Sequence, residues 1–148
     1  MEYRVKAAFL LNFTKFVEWP AAELPDSNTF GICILGDDPF GSALDRITEG
    51  ETVNGRKLAV LRTPPNSPKA CQVVFVSKSE KDYPQALAGF SRGVLTVGEG
   101  DSFLRGGGMI AFVIDNRRVR FDIDLTAAVK GGLKISSKLL SVARSVEE

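Results

Sequence analysis

The sequence predicts an α/β fold in three layers: a mostly parallel sheet, an antiparallel hairpin at its C-terminal edge, and helices flanking both faces. Three observations predict it. Short apolar runs alternate along the chain with segments of helical periodicity. The early runs, such as Phe30–Leu35 and Cys71–Val76, are apolar throughout, as strands covered on both faces are. The last two runs, Met109–Ile114 and Val119–Ile123, are joined by the polar stretch Asp115-Asn116-Arg117-Arg118, which reads as a hairpin.

The elements follow in order. Residues 2–19 fit an amphipathic helix, with Val5, Phe9, Leu10, Phe13, Phe16 and Val17 on one side and Arg4, Asn12, Thr14, Lys15 and Glu18 on the other. Pro20 ends it, because a proline pushes the preceding residue out of the α region. Leu11 falls on the polar side and hints at a partner. Trp19, the only tryptophan, reads as a cap on the core; left exposed, it would be an interface anchor.

Phe30–Leu35 is the first strand. Asp38 and Pro39 suit the start of a short helix through Leu44 and Ile47, closed by Gly50. Lys57–Arg62 is the second strand, the proline-rich stretch 63–68 a loop, and Cys71–Val76 the third strand. Ser79 can cap a helix through Tyr83 and Leu87. Val94–Val97 is the fourth strand, and Asp101–Arg105 a turn or short helix. Beyond the hairpin, Asp124 can cap a helix stopped by Gly131-Gly132. Ser136 or Ser137 can cap a last helix with Leu139, Leu140, Val142, Ala143 and Val146 as its apolar stripe.

One domain, residues 1–148, is expected at this length. With 44% apolar and 25% charged residues the chain can bury a core without a metal. A net charge of +1 gives no global pull toward nucleic acid or anionic lipid. No apolar run is long enough to span a bilayer, so no direct membrane insertion is expected. The chain has no histidine, which removes the usual general base and the commonest zinc ligand. A non-enzyme without cofactor or metal is therefore expected.

Several strings carry a family resemblance. They are Lys6-Ala-Ala-Phe-Leu-Leu-Asn-Phe-Thr-Lys-Phe-Val-Glu-Trp-Pro20, Ile34-Leu-Gly-Asp-Asp-Pro-Phe-Gly41, Cys71-Gln-Val-Val-Phe-Val-Ser77, Leu95-Thr-Val-Gly-Glu99, Gly107-Gly-Met-Ile110, Val119-Arg-Phe-Asp-Ile123 and Gly132-Leu-Lys-Ile-Ser-Ser-Lys-Leu-Leu140. In this order, across nearly the whole chain, they resemble the YfiR-like periplasmic proteins. The resemblance implies a periplasmic signalling regulator, with its signal peptide absent from this sequence. It implies a partner, the periplasmic domain of an inner-membrane sensor protein, either a diguanylate cyclase or a kinase. Binding would hold a cyclase inactive, lower cyclic-di-GMP and restrain biofilm formation. A homodimer is expected. The alternative is a small-ligand-binding sensor module that reports to a membrane kinase or transporter.

Cys33 and Cys71 lie on the first and third strands, which are neighbours in a flavodoxin-like order. The residues alone leave open a disulfide or two buried thiols. The resemblance, through its oxidising compartment, favours the bond. Relatives carry a second cysteine pair near Gly106–Gly108; this chain has none there, so redox control through that pair does not transfer.

Arg118, Arg120, Asp122 and Asp124 alternate onto one face of the hairpin's second strand. With Lys130 beyond them, they are the expected partner-binding residues, at an edge that also offers unpaired backbone groups. The bland alternative is a solvated face. The offset of arginine by aspartate argues against nucleic acid. Asp37, Ser77 and Glu99 follow the ends of parallel strands, where open α/β sheets place ligands, and form a candidate pocket. A receiver domain is excluded, because Val76-Ser77-Lys78 stands where the phosphate-accepting carboxylate belongs. The glycine clusters at 98–100 and 106–108 fit no phosphate-loop spacing. Ser77, Lys78 and Ser79 show no assembled base for a hydrolase.

Overall fold

A computed structural model describes residues 2–24, 28–62, 71–80, 87 and 92–148. Five parallel strands form the heart of the sheet: β2 (Thr29–Leu35), β4 (Arg56–Leu61), β5 (Val73–Val76), β6 (Leu95–Glu99) and β7 (Ile110–Asp115). Their spatial order, β4-β2-β5-β6-β7, is the flavodoxin-like one. At one end β3 (Thr52–Val53) pairs antiparallel with β4, and at the other β8 (Arg118–Asp124) pairs antiparallel with β7. The hairpin turn is Asn116-Arg117, both at positive φ (53° and 67°), as a two-residue turn matched to strand twist requires. Asp115 and Arg118 are therefore the last pair of the ladder rather than turn residues.

One face of the sheet carries Phe30, Ile32, Ile34, Val73, Phe75, Leu95, Val97, Ile110, Phe112, Phe121 and Ile123, all in one apolar cluster. Over it lie α1 (Glu2–Phe16), α2 (Ala43–Thr48), α4 (Leu125–Lys130) and α5 (Ser137–Val142). The other face carries Cys33, Val74, Val76 and Ala111, packed on Phe103 and Leu104 of α3 (Ser102–Arg105) and on Leu87. The helix expected after Ser79 and the loop over 63–68 lie, apart from Leu87, outside the described residues.

The buried stripe of α1 is rotated from the expected one. Lys6, Ala7, Leu10, Leu11, Phe13 and Thr14 are inside, while Val5 and Phe16, at the helix ends, are exposed. α2 packs alongside α1, and Leu11 is buried within the domain rather than waiting for a partner. The helix stops at Phe16 because Val17-Glu18 (β1) pairs with Lys134-Ile135 (β9), before Pro20 can act. Trp19 caps the core as expected: it is 6% exposed, meets Phe30 edge-on, and its Nε1 donates to the Gln72 carbonyl.

The helix predicted to reach Val146 ends at Val142 instead, and Ser145–Glu147 forms β10, parallel to β8. Arg144 explains the change. Its Nε and Nη2 donate to the two Asp122 oxygens at 2.9 and 2.5 Å, and its backbone N–H donates to the Phe121 carbonyl. This bidentate clamp holds the chain extended beside β8. The hairpin thus ends the sheet only over Arg118–Phe121; β10 covers Asp122–Asp124. Asp124 and Ser136 cap α4 and α5 as expected. Asp38 does not cap α2; it accepts from the Phe40 N–H in a loop.

Candidate functional site

All five parallel strands point their carboxyl ends at one edge of the sheet, and the hairpin turn lies on that same edge. Glu99 closes β6 there. Its side chain is 2% exposed, yet its partners are in place: Lys6 Nζ donates to Oε2 at 2.5 Å and the Tyr3 hydroxyl donates to Oε2 at 2.9 Å. Lys6 also donates to Glu2 one turn earlier on α1. The Lys6 ammonium approaches the Tyr3 ring at 4.6 Å as well. Burial, and then the bond to Glu99, raise the Tyr3 phenol above its usual range, so it stays a donor. The Lys6 hydrogen bond holds the Glu2 carboxyl below its ordinary value. Together these groups fasten the first turn of α1 to the end of a central strand.

A cleft of about 300 Å³ opens between β5 and β6, lined by Val76, Ser77, Lys78, Glu80, Glu99, Ser102 and Phe103. Two of the three predicted pocket residues, Ser77 and Glu99, meet in it. Asp37 does not line it: its side chain is exposed on the next turn, and its backbone N–H donates to Ser79 Oγ at 2.8 Å. Its neighbour Asp38 accepts from Arg62 Nε at 2.6 Å, and Arg62 also clasps Asp45. Those bonds hold the Asp45 carboxyl below its usual range.

Phe103 forms one wall of the cleft and lies between Gly98 and Gly108, where a Cβ at either position would overlap its ring. The glycines, unassigned by any phosphate-loop pattern, are there to seat this ring. Gly108→Ala is expected to force Phe103 out of its seat and destabilise the domain by about 1–3 kcal/mol. Thermal unfolding checks this, and an unchanged midpoint would show the ring is not held as described.

The predicted partner-binding residues do not form one patch. Arg118 sits beside the turn, whereas Asp124 ends β8, ~20 Å away at strand rise, and Lys130 lies at the end of α4. Asp122 is 5% exposed and committed to Arg144. Asp124 is occupied capping α4. Arg118 and Arg120 remain, and neither forms an ion pair among the described residues. What sequence reasoning missed lies beside Arg118. A groove of about 530 Å³ runs between the first turn of α1 and the hairpin end, lined by Glu2, Val5, Ile114, Arg117, Arg118 and Val119. Ile114 is 54% exposed there and Val5 42%. The signal was available: Ile114 continues the inward-facing alternation of Ile110 and Phe112 to the end of β7.

Cys33 and Cys71 form a disulfide, on β2 and at the entry to β5, with Cα atoms 5.7 Å apart. No helix among the described residues is long and apolar enough to cross a membrane. A comparison with curated proteins finds no match. The model of the YfiR/HmsC-like family, whose members are periplasmic and regulatory rather than catalytic, matches residues 3–144, and the chain belongs to that family.

Proposed function

We propose that this protein is a periplasmic regulator that binds the periplasmic domain of an inner-membrane diguanylate cyclase and inhibits it. The family membership supports the pathway. The observation that carries the contact is the groove at the hairpin end, which combines exposed Ile114 and Val5 with the Arg117 and Arg118 guanidinium groups, neither in an ion pair among the described residues. Exposed apolar side chains rimmed by arginine are what protein interfaces use as anchors. Beside them the outer edge of Arg118–Arg120 has no strand partner among the described residues and can accept one.

Inhibition by this route is a population shift. The regulator binds the inactive state of the sensor more tightly, and each tenfold preference biases the switch by about 1.4 kcal/mol. Ile114→Asp and Arg118→Glu are each expected to weaken binding to the cognate sensor domain by roughly tenfold or more. Lys130→Glu, at the end of α4, leaves it unchanged. Calorimetric titration of the sensor's periplasmic domain makes the comparison. Full affinity in both groove variants would remove this surface from the reading.

A further inference from the structure

The two sides of β8 are used unequally. The Asp124 N–H donates inward to the Met109 carbonyl at the foot of β7, whereas the Phe121 carbonyl accepts outward from the Arg144 N–H. Backbone groups alternate along an antiparallel ladder, so Arg118, Arg120 and Asp122 bond toward β7, while Val119 and Phe121 face out. Arg144 and β10 take up the outer side from Phe121 onward. The Val119 N–H and C=O are then left facing outward with no backbone partner among the described residues.

The side chains divide about the same edge. Val119 lies opposite Ile114 in the ladder and shares the groove with it, on the α1 face. Arg120 alternates to the other face. Many sheet edges carry charge only as a shield against pairing. Here the open backbone pair adjoins Ile114, 54% exposed, which a shielded edge has no reason to present. The charges are one-sided as well. Arg117, Arg118 and Arg120 form no ion pair among the described residues. The carboxylates beside them are Glu2, which Lys6 already holds, and Asp115, which acts on Arg144 too.

We propose that the partner element docking here is an extended acidic segment that adds to β8 beside Val119. Its apolar side chains lie on Ile114 and Val5, and its carboxylates, on alternate positions, meet Arg118 and Arg120. This rests on the reading of the hairpin end as the sensor-docking surface and names what the sensor presents to it. A helix laid in the groove leaves the Val119 pair unbonded and meets the α1 face alone.

The probe is a backbone-cyclised hairpin peptide whose free strand reads Glu-Leu-Glu-Leu-Glu, titrated into the ¹⁵N-labelled full chain. One control carries lysine in place of glutamate. The other is N-methylated along the free strand's pairing edge, which removes main-chain donors and keeps the side chains. The acidic peptide is expected to give a saturable shift at the Val119 amide and slow its hydrogen exchange; the controls give neither. Val119→Pro removes the outward N–H and keeps the bonds to β7, and it should abolish saturation at the neighbouring amides. Arg120→Glu should weaken binding roughly tenfold. Thermal unfolding verifies that both variants are folded. Absence of saturation overturns the proposal, as does equal binding of either control peptide or full affinity in Arg120→Glu. Titration of the sensor domain separates the two readings. A loss in Ile114→Asp with none in Val119→Pro or Arg120→Glu keeps the docking surface and overturns strand addition. No loss in any of the three overturns both.

Discussion

Phe13→Ala is expected to cost the domain about 3–5 kcal/mol, the range for deleting a fully enclosed aromatic side chain. Phe13 is 0% exposed. Its ring stacks on Phe112 at 5.8 Å between centroids and meets Phe121 edge-on at 5.1 Å. It is the point where α1 locks onto β7 and β8, so truncation opens a cavity at the junction of three elements and removes three ring contacts, the third being with Phe9 on α1 itself. Urea unfolding should show a lower midpoint with an unchanged slope. Phe16→Ala, three residues on and 37% exposed, is the control and should stay within about 0.5 kcal/mol. Equal losses at the two positions would mean that α1 docks through a different face.

The second large effect concerns the disulfide. Cys33 and Cys71 are 38 residues apart in sequence, and closing a loop of that length removes enough unfolded-state freedom to be worth ~4 kcal/mol. The double variant Cys33→Ser/Cys71→Ser is expected to lose about 2–4 kcal/mol, the lower figure allowing for residual order in the unfolded chain. Both sulfurs are enclosed, with Cys33 5% and Cys71 2% exposed, so the native protein should resist mild reductant until it unfolds. Chemical denaturation of the variant against wild type measures the loss. A difference below about 0.5 kcal/mol would show that the crosslink contributes nothing to the equilibrium.

The parts of the fold legible in the sequence are those whose cause is local. Phe30–Leu35 and Cys71–Val76 are continuous apolar runs, and strands form there because both faces are covered. The strand order brings the cysteines together but leaves a disulfide and two buried thiols open, and only the resemblance, through its oxidising compartment, favours the bond. Lys6 was not legible. On a helical projection it is one more polar residue, and it is buried because its carboxylate partner stands 93 residues later. β10 was misread for the same kind of reason: Val142, Ala143 and Val146 keep a helical spacing, while the clamp that straightens them joins Arg144 to Asp122, 22 residues earlier. The candidate site divides likewise. Ser77 and Glu99 could be placed by the rule that ligands gather at strand ends, whereas Asp122 and Asp124 look like surface carboxylates until their neighbours are known. The missing spatial information was what packs beside each: Arg144 on Asp122 and the Ala127 amide on Asp124.

The seating of α1 has a consequence for the order in which the protein can mature. The helix is made near the start of the chain, yet its aromatic stripe rests on β7 and β8, whose rings at 112 and 121 are synthesised about a hundred residues later. Its Lys6 waits almost as long for Glu99, and the strand following it waits for β9. A lone helix of this length is marginal in water. The growing polypeptide therefore carries an unshielded row of phenylalanines until its last quarter emerges. Closure is a late, long-range event, which slows folding and leaves a prolonged interval in which a chaperone can hold the chain open.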